Sequence, residues 1–177
     1  EGNNVTEAAI SPHERRQETT MRNIAVIGAG YWGRNLVRNL DKLGRLGWIC
    51  DSSPQTLSNM KASYPAAKTI ESLDELLAIE DVAGVMIATP SVTHYTVAKA
   101  ALEAGKHTYV EKPLALDVNE GTSLCKIAEE ENLSLMVGHL LLYHPCIDWA
   151  KEAIDRGDLG EILYLNSVRV NLGRVRQ

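Results

Sequence analysis

N-I-A-V-I-G-A-G-Y-W-G-R-N-L, residues 23–36, decides how this chain reads. The apolar run Ile24–Ile27 is a short strand. An amphipathic helix over Tyr31–Leu43 follows. Trp32, Leu36, Val37, Leu40 and Leu43 lie on one broad apolar face, with Arg34, Arg38 and Asp41 opposite. Between strand and helix, Gly28, Gly30 and Gly33 form G-x-G-x-x-G. Alone that pattern is weak, but a strand before it and a helix after it give it meaning. Gly28 permits the tight turn, Gly30 admits a pyrophosphate to the backbone, and Gly33 lets helix and strand pack closely. The free N–H groups at the helix start then hold phosphate. A glycine-rich turn with no ligand is the plain alternative.

The next strand, Leu46–Cys50, runs into Asp51, 18 residues past Gly33. An acidic side chain about 20 residues on is placed to bind the adenosine ribose hydroxyls. Asp51 would repel a 2′-phosphate, and no arginine in Ser52–Gln55 attracts one. The expected cofactor is therefore NAD rather than NADP. The alternative is that Asp51 only caps the helix after it. Tyr31 and Trp32 in the turn, and Ser52 beside Asp51, count with the cofactor-binding candidates.

Outward from this unit, short apolar strands alternate with helices. Further strands are expected at Ala67–Thr69, Gly84–Ala88, His107–Val110 and Ser134–Val137. Helices are expected at Pro54–Ser63, Leu73–Ile79, Val92–Ala104, Asp117–Glu131 and Tyr143–Arg156. Gly105 marks the stop of the helix before it. Strict alternation implies an α/β fold, a doubly wound parallel Rossmann sheet with helices on both faces. The chain has 177 residues, 45% apolar and 23% charged, enough for one self-sufficient core. Its net charge of −5 argues against nucleic-acid binding, which needs clustered positive charge. Cys50, Cys125 and Cys146 show no metal-ligand spacing, so no metal is expected, and they read as small buried hydrophobes. No apolar run approaches the ~18 residues that would suggest a membrane helix, and no secretory h-region opens the chain. The expectation is a cytoplasmic protein without a membrane partner.

Two segments follow at the carboxyl ends of later strands, where open parallel sheets hold ligands. In A-T-P-S-V-T-H-Y, residues 88–95, Thr89 and Pro90 are placed to meet a cofactor. Thr93 reads as a helix cap, and His94 as either a cofactor contact or a packing residue. In Y-V-E-K-P-L, residues 109–114, Lys112 is placed to hydrogen-bond a substrate hydroxyl and ease its deprotonation, which helps hydride leave the same carbon. From spacing alone E-K-P is also an ordinary surface turn.

The ends read differently. Residues 1–20 are polar and aperiodic, a flexible extension or a remnant of expression, with the first domain spanning 21–157. Glu161–Val170 reads as a strand, and residues 158–177 as the start of a truncated second domain. Such a strand needs a neighbour. It is expected to pair with another copy, giving a homo-oligomer through this strand, or to be disordered.

G-A-G-Y-W-G, A-T-P-S-V-T-H, A-L-E-A-G-K-H and E-K-P-L-A, in this order, resemble the Gfo/Idh/MocA family of oxidoreductases over about residues 23–177. The resemblance implies a nicotinamide cofactor in an N-terminal Rossmann domain and a sugar or cyclitol on a C-terminal α/β domain. It implies that Lys112 contacts substrate hydroxyl and nicotinamide ribose, with Glu111 on the cofactor side. V-G-H-L-L-L-Y-H-P (137–145) and V-N-L-G-R-V-R (170–176) are similar to the branch oxidising UDP-linked N-acetylaminosugar uronates at the 3-position. Leu142 stands where many members carry arginine. Tyr143, His144, Asn171 and Arg174 are then substrate-side candidates. The family's catalytic histidine would fall beyond Gln177, so this chain is expected to bind cofactor without turning over substrate. The alternative is a non-catalytic dinucleotide-binding or assembly module.

Overall fold

The computed structural model describes residues 23–168 and Val170. The chain divides into two compact units, one ending at Gly138 and one beginning at His139. In the first unit the elements run β1 (Ile24–Ile27), α1 (Gly33–Lys42), β2 (Leu46–Cys50), α2 (Pro54–Ser63), β3 (Lys68–Ile70), α3 (Leu73–Leu77), β4 (Gly84–Ile87), a 3-10 turn (Ser91–Thr93), α4 (His94–Glu103), β5 (His107–Val110), α5 (Val118–Glu130) and β6 (Leu135–Val137). The six strands form one sheet in the order β3-β2-β1-β4-β5-β6. All five pairings are parallel. The strand order reverses between β1 and β4, the position where such sheets open a crevice for ligand.

The central strands β1, β2 and β4 are buried on both faces because they are apolar at nearly every position. Ala25, Ile27, Trp48, Cys50, Val85 and Ile87 pack on one face against Leu76 of α3, Ala98, Ala101 and Leu102 of α4, and Leu124 and Ala128 of α5. Val26 and Ile49 point to the other, against Val37 and Leu40 of α1 with Leu57 and Met60 of α2. Ser53 and Ser72 cap α2 and α3 by accepting from the N–H groups of Thr56 and Glu75. Gly105, at φ +73°, ends α4 as its position requires.

Several details differ from the sequence reading. The first helix begins at Gly33 rather than Tyr31, because Gly30–Trp32 are used up in the turn. Trp32 and Leu43, expected on its buried face, are 42% and 67% exposed; they lie just beyond its ends, where the helical period no longer aims them at the sheet. Cys50 is buried, but Cys125 and Cys146, expected to be buried, are exposed thiols.

The second unit contains a 3-10 turn (Leu140–Tyr143) and α6 (Pro145–Asp155). α6, read from sequence as starting at Tyr143, starts two residues later because proline takes the first helical position and His144 caps it. The strand expected over Glu161–Val170 does not form: residues 162–168 are neither helix nor strand, and Leu163, Tyr164 and Leu165 are exposed. Among the described residues no strand offers that segment a ladder, and an extended segment without one gains no cross-strand bonds. The candidates Asn171 and Arg174, and residues 1–20, lie outside the described residues.

Candidate functional site

The carboxyl ends of four neighbouring strands bring the first-unit candidates together. The parallel ladder carries straight into the loops: Gly28 donates its N–H to Cys50 O, Ala88 to Ile27 O, Glu111 to Ile87 O, and Gly138 to Val110 O. The loops are thus fixed by the sheet that feeds them.

The glycine turn is shaped by close approach. Gly28 sits at φ +86°, and a Cβ there would stand 2.9 Å from Ala88 C and Thr89 N. A Cβ on Gly33 would collide with Gly28 O. Gly30 is different: a Cβ there would meet nothing within 4 Å, so its backbone faces open space at the helix start. Trp32 occupies the N-cap position of α1 without a side-chain cap, and in the first turn the Arg34 and Asn35 N–H groups donate to Gly30 O at 3.3 Å and Trp32 O at 2.8 Å. Tyr31 projects outward, 79% exposed.

Two carboxyl groups hold this turn from opposite sides. Asp51, following β2, accepts the Ala29 N–H at Oδ2 (2.8 Å) and the Ser53 N–H at Oδ1 (2.9 Å). It is half-buried beside the exposed Ser52. It does not cap α2, since Ser53 does. Glu111, following β5, is only 8% exposed. Its Oε1 accepts the indole N–H of Trp32 at 2.6 Å and the phenol O–H of Tyr109 at 2.8 Å.

His94 is 2% exposed and ties two loops together. Its Nδ1 lies 2.6 Å from Pro113 O and its Nε2 3.0 Å from Thr89 O. Both ring nitrogens therefore face main-chain carbonyls, one in each strand exit, and the ring packs rather than projects. Thr93 does not cap α4 with its side chain; its hydroxyl donates toward Thr89 Oγ1 and Pro90 O, both at 2.8 Å. Thr89 is half-buried and Pro90 exposed at the β4 exit. Lys112 is exposed on the adjacent β5 exit, joined to Pro113 by a cis peptide bond. In the second unit, Tyr143 is exposed, and His144 accepts the Cys146 N–H at Nδ1.

The groups sequence reading missed are Tyr109 and Gly138, which complete the surroundings of Glu111. A Cβ on Gly138 would stand 2.9 Å from Glu111 Oε2 and collide with Tyr109 Oη. A glycine at the exit of an edge strand was the available signal.

The shape of this crevice suits a dinucleotide: an open glycine backbone at the start of a helix and a carboxylate at the neighbouring strand exit. Residues 22–139 match the Gfo/Idh/MocA oxidoreductase family, described as an NAD-binding Rossmann fold. The chain is 34% identical over 128 residues to UDP-N-acetylglucosamine 3-dehydrogenase of Acidithiobacillus ferrooxidans, covering 72% of this chain and 40% of that protein. Its structure resembles scyllo-inositol dehydrogenase from Lactobacillus casei, solved with NAD(H) and scyllo-inositol, at a TM-score of 0.73 and 25% identity, covering 78% of this chain and 42% of that one. It also resembles the WlbA dehydrogenase from Bordetella pertussis, solved with NADH and UDP-GlcNAcA, at a TM-score of 0.73 and 28% identity, covering 77% and 40% of the two chains. The chain thus spans about two fifths of the length of these relatives. With its sheet order, glycine turn and strand-exit loops, the chain belongs to the Gfo/Idh/MocA family of oxidoreductases and carries that family's NAD-binding Rossmann fold.

Proposed function

We propose that this chain is the cofactor-binding part of a sugar or nucleotide-sugar dehydrogenase that uses NAD in preference to NADP. The observation that carries the reading is Asp51. Its carboxylate stands at the β2 exit against the glycine turn, bonded to Ala29 N–H, where an adenosine ribose would lie. Each carboxylate oxygen accepts more than one hydrogen bond, so Asp51 can hold the turn and still accept from ribose hydroxyls.

A bound nicotinamide supplies the hydride acceptor or donor. The chain's own residues do the rest. The open Gly30 backbone at the start of α1 would receive the pyrophosphate. Thr89 and Pro90 border the same crevice from the β4 exit. Lys112, on the β5 exit, hydrogen-bonds the substrate hydroxyl and favours loss of its proton as hydride leaves the carbon bearing it. The finer assignment is to the branch acting on UDP-linked aminosugars at the 3-position. The stretches 137–145 and 170–176 and the resemblance to UDP-N-acetylglucosamine 3-dehydrogenase support it. Tyr143, His144, Asn171 and Arg174 are its substrate-side residues.

The test is a titration of the chain with NADH and, separately, NADPH, followed by energy transfer from its three tryptophans. Saturable NADH binding at least ~10-fold tighter than NADPH is expected, equivalent to about 1.4 kcal/mol. Equal affinities would remove Asp51 as the discriminating group, and no binding of either would refute the cofactor reading.

A further inference from the structure

The glycine turn lacks the usual side-chain cap at the start of its helix, yet Trp32, at that position, is far from free. Its indole N–H reaches across the width of β4 to Glu111, 79 residues away in sequence. The bond is short, at 2.6 Å. Its acceptor is nearly out of solvent and is oriented by a second donor, Tyr109, on the strand that carries it. The absence of a side chain at Gly138 leaves the room that Glu111 and Tyr109 occupy. Glu111 is followed directly by Lys112.

We infer that Glu111 is a positioning residue. It latches the phosphate-binding turn, through Trp32, to the strand exit that presents Lys112. This refines the expectation that Glu111 itself meets cofactor, and it rests on the proposal that the turn holds a nicotinamide dinucleotide. The physical case is a balance between two anchors. Asp51 pulls the turn toward β2 through Ala29 N–H, and Glu111 holds it toward β5 through Trp32. The first turn of α1 hangs between them. Without the Glu111 anchor, the turn keeps its backbone bond to β2 and the Asp51 anchor but loses its side-chain hold on the β5 side. Binding must then order a turn that was ordered beforehand, and that ordering appears as lost affinity. The same bond adds a direct side-chain link between the phosphate-binding turn and the loop of Lys112 to the backbone ladder that already joins their strands.

The experiment uses this chain and the variants Trp32→Phe, Glu111→Ala, Glu111→Gln and Trp32→Phe/Glu111→Ala, with NADH affinity measured by calorimetry. Each single loss of the bond should weaken NADH about 10-fold, the range of a hydrogen bond to a charged group. The double variant should be no weaker than the worse single one, because both changes remove the same bond. Glu111→Gln keeps an acceptor oxygen and should stay within about 3-fold of the unaltered chain. Indole N–H resonances give a readout that mere structural support would not move. Of the three tryptophans, only the resonance missing from Trp32→Phe should shift in Glu111→Ala, with the other two unmoved.

Unchanged affinity in the single variants, losses that multiply in the double variant, or a Trp32 indole resonance unmoved in Glu111→Ala would each overturn the latch. Failure of the unaltered chain to bind NADH would instead overturn the functional reading, and the positioning role with it. The two failures are told apart by the unaltered chain's titration and by the resonance, which reads the bond without cofactor. If Glu111→Ala does not fold, Trp32→Phe still tests the latch, with its roughly 10-fold loss set against the retained affinity of Glu111→Gln, and a Trp32→Phe affinity equal to that of the unaltered chain overturns it.

Discussion

Replacing Asp51 with asparagine keeps the shape of the side chain and changes what it can accept. In the structure both oxygens are engaged, Oδ2 by Ala29 N–H at 2.8 Å and Oδ1 by Ser53 N–H at 2.9 Å. Asparagine offers one oxygen and one NH2 group, so one of those two N–H donors must face another donor. Losing a hydrogen bond to a charged group costs about 1.5–3 kcal/mol. Asp51→Asn should therefore weaken NADH roughly 10-fold, through a less firmly held turn and one acceptor fewer for ribose. NADPH shares the loss from the turn but gains from removal of the charge. Two unit charges 4 Å apart at a protein surface repel by about 4 kcal/mol at an effective dielectric of 20. Asp51 is half-exposed, and solvent screening brings the usable part to about 1–2 kcal/mol. Removing the charge should offset that loss for NADPH and leave its affinity near that of the unaltered chain, so the preference between the cofactors shifts by roughly 10-fold. Calorimetric titration of both cofactors against both chains measures this. A variant whose preference equals that of the unaltered chain would refute the role given to the carboxylate.

Three further predictions concern the glycine turn and the strand beside it. Gly33→Ala brings a Cβ into Gly28 O, a backbone atom that cannot swing aside, so the chain should lose about 1–3 kcal/mol. Gly30→Ala meets open space and should melt near the unaltered temperature while losing NADH affinity; the reverse pattern in thermal melts and titrations would contradict the assignment. Burial, and secondarily the neighbouring Asp51 charge, push the Cys50 thiol from 9.0 up to about 11. A thiol held neutral in the fold stabilises it fully below pH 9 and loses that contribution as pH rises through 11, up to about 3 kcal/mol. Cys50→Ala should flatten this alkaline decline in denaturant midpoints, and an equally steep decline in the variant would sink the idea.

The strands were readable because a sheet covered on both faces demands apolar runs, and I-A-V-I and V-M-I-A supply them. Their exits, and with them Gly28, Asp51, Thr89 and Lys112, followed from the alternation of strand and helix. What sequence could not carry was partnership. Trp32 looked like part of a buried helix face, since a period of 3.6 says nothing about where the helix begins. Its actual partner, Glu111, is 79 residues away, and only the strand order brings them together. His94 was ambiguous for a related reason, because its partners are main-chain carbonyls of Thr89 and Pro113, which every residue possesses. The strand expected over Glu161–Val170 failed because alternation describes one strand, whereas a ladder needs two.

The strand order has a consequence for survival as well as for chemistry. The crevice is assembled from residues 28–33, 51, 89 and 111–113, segments that meet only when β1, β2, β4 and β5 are all in register. A bound dinucleotide touching those exits would act as a stitch through the whole sheet, and its protection would reach every element at once. At 100 times its dissociation constant that protection amounts to about 2.7 kcal/mol. A copy damaged in any one of the four strands would forfeit all of it. Under proteolysis, cofactor would then sort sound copies from flawed ones more sharply than either would be sorted in its absence.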